Sequence, residues 1–161
     1  MRQILVRQTY MMAVALCLIV SWAWMSASVV GAEPDAADGD FTTQDVTCAI
    51  WADASKQSAT SILVQSLQSC SGNVAHQTLD VDLYKCSAPG SGTTCNGFFG
   101  KYRDVANCQM FSAGNLWCPS GGSVQGSLPA GIYRSRASGC STTTEGTRGC
   151  GLDWSVRIRL P

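Results

Sequence analysis

Residues 128–160 read LPAGIYRSRASGCSTTTEGTRGCGLDWSVRIRL. The stretch holds two strand-like runs, 131–137 (GIYRSRA) and 153–160 (DWSVRIRL), separated by a Ser-, Thr- and Gly-rich segment, 138–151. In the second run Trp154, Val156, Ile158 and Leu160 alternate with Ser155, Arg157 and Arg159. A period of two marks a half-buried strand, so the four apolar residues are expected on the core face. A slip of one residue would bury Arg157 and Arg159 instead.

The same alternation recurs upstream. In 78–86, TLDVDLYKC, Leu79, Val81 and Leu83 oppose Asp80, Asp82 and Tyr84. Val46, Cys48 and Ile50 alternate with Thr47, Ala49 and Trp51, and 61–69 forms a further run. Weaker runs lie near 98–105 and 107–118, with loops at 87–97 and 119–130 and a helical turn compatible with 52–60. About seven short strands divided by turn clusters predict an all-β sandwich.

The lead-in Leu128-Pro129-Ala130-Gly131-Ile132-Tyr133 resembles the approach to strand F of immunoglobulin-like and fibronectin-like sandwiches, where a Tyr tucks under the corner and bonds nearby backbone. The expected fold is therefore a disulfide-stapled immunoglobulin/fibronectin-like β-sandwich. The resemblance implies an architecture and no function. In that topology the third, penultimate and last strands share a sheet. Asp80 and Asp82, Arg134 and Arg136, and Arg157 and Arg159 would then stand outward as three adjacent ladders.

At 161 residues the chain is long enough for one domain. Charged residues make up 14%, against about a quarter in ordinary soluble chains, which disfavours a charged disordered protein. A single His excludes two-His mechanisms and multi-His zinc sites. Residues 1–32 have the order of a secretory signal peptide: Arg2 and Arg7, an uncharged apolar run from Met11, then Val30-Gly31-Ala32. Cleavage is expected after Ala32, an uncleaved membrane anchor being the alternative. Either way the domain is expected outside the cytoplasm. Cleavage removes Arg2 and Arg7, leaving nine bases against eleven acids, a net charge of −2. Residues 33–45, with five acids and no base, read as a flexible acidic leader. The remaining 46–161 is the β domain.

Nine Cys point to an oxidising compartment. The signal segment takes Cys17 with it and leaves an even eight: Cys48, Cys70, Cys86, Cys95, Cys108, Cys118, Cys140 and Cys150. No CxxC occurs, which disfavours metal binding. Eight Cys allow 105 connectivities. Spacing favours Cys86–Cys95, Cys108–Cys118 and Cys140–Cys150, each closing a short polar segment, with Cys48–Cys70 closing a longer hairpin. No cofactor and no metal are expected.

Four groups are candidates for chemistry. His76, read as lying in the loop 71–77 near Asp80 and Asp82, is a candidate general base; a solvated loop His is the plainer reading. Asp80 and Asp82 share a strand face, where paired carboxylates could hold Ca²⁺ or act on a glycan; a polar outer face is the plainer reading. Arg134, Arg136, Arg157 and Arg159 would form a ligand-binding cluster for phosphate, sulfated glycan or an acidic envelope polymer, unless they are a solvated, locally neutralised face. Trp51, Phe98, Phe99, Tyr102, Trp117 and Tyr133 offer stacking surfaces of the kind that bind sugar rings, although aromatics in a small sandwich mostly fill the core.

With no assembled catalytic set, the leading expectation is a secreted, non-enzymatic, monomeric module that binds an extracellular polymer, glycan or protein. No nucleic acid is expected as partner, and no membrane once the signal is cleaved. Two alternatives remain: a small secreted hydrolase using His76 with an Asp, and a secreted inhibitor or toxin acting through a disulfide-closed loop such as 141–149.

Overall fold

The computed structural model describes residues 39–43 and 45–161, so the signal segment and most of the acidic leader lie outside the described residues. Nine strands follow in order: β1 (Phe41–Thr43), β2 (Val46–Ser58), β3 (Ser61–Gly72), β4 (Val74–Cys86), β5 (Phe99–Met110), β6 (Gly114–Gln125), β7 (Gly131–Thr143), β8 (Arg148–Trp154) and β9 (Ile158–Leu160). They form two antiparallel sheets. Sheet A has the order β1-β2-β3-β6, and sheet B the order β5-β4-β7-β8, with β9 also paired to β7. The third long strand (β4), the penultimate run (β7) and the last run (β8 and β9) share sheet B, as the immunoglobulin/fibronectin-like order requires.

Period-two burial builds the space between the sheets. Ile50 and Ala54 from β2, Ile62 and Val64 from β3 and Leu116 from β6 meet Leu79, Val81 and Leu83 from β4 and Tyr133 and Ala137 from β7. Tyr133 is fully buried, and its hydroxyl donates to the Pro129 carbonyl at 2.7 Å, the corner anticipated from the Pro-Ala-Gly lead-in. Burial pushes this phenol up to about 12.

All four expected disulfides form. Cys48–Cys70 joins directly opposed residues of β2 and β3, and Cys140–Cys150 does the same for β7 and β8. Cys108–Cys118 runs from β5 in sheet B to β6 in sheet A and ties the two sheets at one edge. Cys86–Cys95 pins the loop after β4.

Several boundaries differ from expectation. Residues 52–60 contain no helical turn, because β2 runs through to Ser58 and turns directly into β3. The strand near 107–118 is two strands, broken at 111–113. The loop 138–151 shrinks to 144–147, since β7 and β8 continue as a ladder up to Thr142 and Arg148. Part of the expected leader also joins the domain. Phe41–Thr43 pair with β2, and the Phe41 ring lies where a Cβ on Gly149 or Gly151 would come within 2.7 and 2.9 Å of it.

The largest correction concerns the last strand. Ile158 and Leu160 are buried, but Trp154 lies on the outer face and Val156 is 71% exposed. Arg136 pairs with Trp154 and Tyr133 with Ile158. Between those pairs β7 supplies Arg134 and Ser135, whereas the C-terminal segment supplies Ser155, Val156 and Arg157. The extra residue is a bulge, and one inserted residue reverses which face each side chain takes. Ser155 holds it: its N–H donates to the Ser135 carbonyl at 3.0 Å, and its hydroxyl accepts from the Ser135 N–H at 2.8 Å. Upstream of the bulge Asp153 turns inward, and its Oδ2 accepts the Ala52 N–H at 2.8 Å, linking the sheets.

The bulge makes two residues of one run behave oppositely. Ile158→Ala should destabilise by about 2–5 kcal/mol as a buried aliphatic truncation, while Val156→Ala should stay within about 0.5 kcal/mol, both measured by denaturant unfolding. The corner gives a pH prediction. Between pH 10 and 12 the unfolded tyrosine ionises while buried Tyr133 keeps its proton, so stability should fall as pH rises through that window. Tyr133→Phe should remove that part of the alkaline slope.

Candidate functional site

The outer face of sheet B carries the charged residues singled out from the sequence. Asp82, with a side chain only 6% exposed, accepts from Arg136 at 3.0 Å and pairs with Lys101 at 2.9 Å. Lys101 also reaches Asp104, and Asn107 donates to Asp80. The Asp104 and Asp82 carboxylates hold the Lys101 ammonium well above its ordinary range, and Lys101 in turn lowers Asp104. These residues line a groove of about 510 Å³, and its charged groups are largely engaged with one another.

Arg134, Arg136 and Arg157 do share this face, but aromatic rings stand between them. The Arg134 guanidinium sits 4.2 Å from the Phe99 centroid and 3.8 Å from that of Trp154, and the residue is 2% exposed. Arg157 lies 5.5 Å from Phe99, and Arg136 lies 5.0 Å from Tyr84 and 5.8 Å from Trp154. Tyr84 meets Trp154 edge-on at 4.8 Å. The expected order of Asp, Arg and Arg is corrected at the level of Arg136, where the bulge puts Trp154 in the third place, while Arg157 and Arg159 keep their outward positions beside the Gly131 end of β7. Arg159 stands apart from this stack and donates to the Gly90 and Gly92 carbonyls at 2.7 Å each, holding the loop that Cys86–Cys95 closes.

His76 is on β4 and not in a loop. Its ring stacks on Phe111 at 4.7 Å, and its Nε2 lies 3.3 Å from Gln109 Oε1. Asp80 bonds Asn107 and Asp82 bonds the two cations, so His76 is not brought together with either acid. Among the described residues no group of three or more His, Cys, Asp or Glu is placed to share a metal ion.

The opposite face, that of sheet A, is different in kind. Trp51 on β2 pairs with Leu67 on β3, and Leu67 pairs with Trp117 on β6, so the three stand in one row across the sheet. Trp51 is 50% exposed and Trp117 48%, with Leu67 half-buried between them. About half of each tryptophan is therefore open to solvent. On one side of the row stand Ala49, Ser69 and Asn115, where Ser69 Oγ donates to Asn115 Oδ1 at 2.7 Å. On the other side stand Asp53 and Gln65. Leu63 and exposed Val124 add a second apolar pair further along.

Trp51 and Trp117 were legible as aromatics but not as a pair. Trp51 alternates with Cys48 and Ile50, and Trp117 precedes Cys118, so inward cysteines imply outward tryptophans. Their alignment needs the β3 register, and nothing in the sequence marks Leu67 as the residue between them. No protein-family model matches the chain, and no curated protein matches it.

The stack on sheet B should act as a lock. Trp154→Leu removes the ring shared by Arg134 and Arg136 and should cost about 1–3 kcal/mol, the sum of two cation–π contacts, one of them desolvated. Trp154→Phe should retain much of that. Thermal unfolding of the two variants measures the difference.

Proposed function

We propose that this domain is a non-catalytic, extracytoplasmic module that binds glycan through the outer face of sheet A. The observation that carries the reading is the Trp51–Leu67–Trp117 row. Two large rings held half in water by a rigid sheet keep apolar area exposed in register, and contiguous exposed apolar surface of this kind marks interaction sites. A tryptophan face is the negative part of the ring quadrupole. It therefore suits the flat, C–H-bearing face of a sugar ring, whose hydroxyls point sideways to polar neighbours. Ser69, Asn115, Gln65 and Asp53 supply such neighbours on both sides.

Four disulfides are characteristic of proteins that fold in oxidising compartments. Secretion directed by residues 1–32 accords with that chemistry and brings the domain to where structural polysaccharides occur. The surface of sheet B supports anion binding less well, because Asp82 engages Arg136 and aromatic rings cover Arg134.

Pull-down on a panel of insoluble polysaccharides tests the proposal. The wild type should be retained by at least one of them. Trp51→Ala and Trp117→Ala should each weaken retention at least tenfold, in keeping with tryptophan as an energetic centre of binding surfaces, while leaving the thermal midpoint near that of the wild type. Retention that is unaffected by both substitutions would remove sheet A from the function.

A further inference from the structure

We infer that the glycan is an uncharged, extended polymer of equatorially linked (β-configured) hexopyranoses, lying across the strands of sheet A with alternate rings on Trp51 and Trp117. The inference rests on the glycan-binding reading above and names its ligand class.

Register sets the spacing. Trp51, Leu67 and Trp117 occupy three consecutive strands at one level, so the backbones that carry the two rings are two strand spacings apart, about 9.5 Å. In an extended β-linked chain each sugar is turned by a half-turn from the last, so the same face recurs at every second ring, one disaccharide further on. Two strand spacings are close to that repeat. Rings one and three of a three-ring segment then lie on the two tryptophans, and the middle ring lies over Leu67. An α-1,4-linked glucose chain coils and presents its rings along a curve, so it does not lie flat on both tryptophans and on the leucine between them.

Charge selects among the extended chains. Outward positions in the rows beside the platform are Ala49, Ser69, Asn115, Asp53 and Gln65, and none of them is cationic. The one charge is the Asp53 carboxylate, which repels a uronate or sulfated chain and can accept from a hydroxyl of a neutral one. On the other side the Ser69 hydroxyl occupies Asn115 Oδ1. The Asn115 amide group keeps its N–H donors for hydroxyls at the ring edge. Acceptor on one side and donor on the other suit equatorial hydroxyls, which leave a flat ring sideways.

The test is a titration of the full domain, followed by tryptophan fluorescence and calorimetry, with cello- and chito-oligosaccharides of two to six rings. Maltohexaose serves as the α-linked comparator, and a β-1,4-linked oligomannuronate of equal length as the anionic one. Affinity for at least one neutral β-linked series should step up at least tenfold between two and three rings. Maltohexaose and the oligomannuronate should bind at least tenfold more weakly than the best six-ring chain. Trp51→Ala and Trp117→Ala should each abolish the step, and Trp51→Leu, which keeps apolar bulk without a ring, should do the same. Maltohexaose or oligomannuronate binding as tightly as the neutral β-linked chains, with Trp51 still required, would overturn the ligand class and leave the glycan-binding reading intact. Binding to none of these glycans or insoluble polysaccharides would sink both, as would self-association of the wild type that Trp51→Ala abolishes, since the row would then be an interface between copies.

Discussion

Ile50, Leu116 and Cys118 pack into the space between the sheets, and successive side chains on a strand point to opposite faces. Their burial leaves Trp51 and Trp117 on the outer surface, with no local strain needed to keep them there. The same rule acts on β7, where Tyr133, Ser135 and Ala137 face inward and put Arg134 and Arg136 outside. Both outer faces are therefore by-products of one core. A shift of one residue in either sheet would exchange tryptophans and arginines for aliphatics. One such shift falls at Ser155–Arg157, and there it brings Trp154 out to meet Arg134.

The two faces differ because their residues have different partners available. On sheet B, guanidinium groups and rings alternate from Arg157 through Phe99, Arg134 and Trp154 to Arg136 and Tyr84. Each cation covers a ring face, and Asp82 adds a buried carboxylate between Arg136 and Lys101. Cation–π contacts contribute about 0.5–2 kcal/mol each, more as they are desolvated, so this face consolidates the fold. On sheet A, no cation among the described residues lies over Trp51 or Trp117, and both stay about half exposed.

The disulfides divide their work in the same way. Cys48–Cys70 and Cys140–Cys150 join residues already opposed across neighbouring strands and reinforce register, which decides what faces out. Cys108–Cys118 instead links β5 to β6 and holds two edge strands of different sheets together. A bridge that closes a short loop contributes about 2–4 kcal/mol in the chain-entropy account. With a continuous core beside them, the four bridges supplement packing and are not a substitute for it.

The alternation of Leu79, Val81 and Leu83, the Pro-Ala-Gly lead-in to Tyr133 and the spacing of eight cysteines determined the fold class, the shared sheet of β4 and β7, and the pairing of every bridge. These were legible because each depends on local period, local turn chemistry or short separation along the chain. The acidic leader is shorter than the composition of 33–45 predicts because Phe41 packs on Gly149 and Gly151, contacts from the far end of the chain. The face of Trp154 differs from what its own run predicts because a bulge is a mismatch between two strands, and one strand's pattern cannot report it. Trp51, Leu67 and Trp117 are distant in sequence, and only the pairing of β2, β3 and β6 sets them in one row. Sequence determined which residues alternate. Tertiary structure decided which alternating faces stand side by side, because register between strands is settled by the packing of both sheets at once.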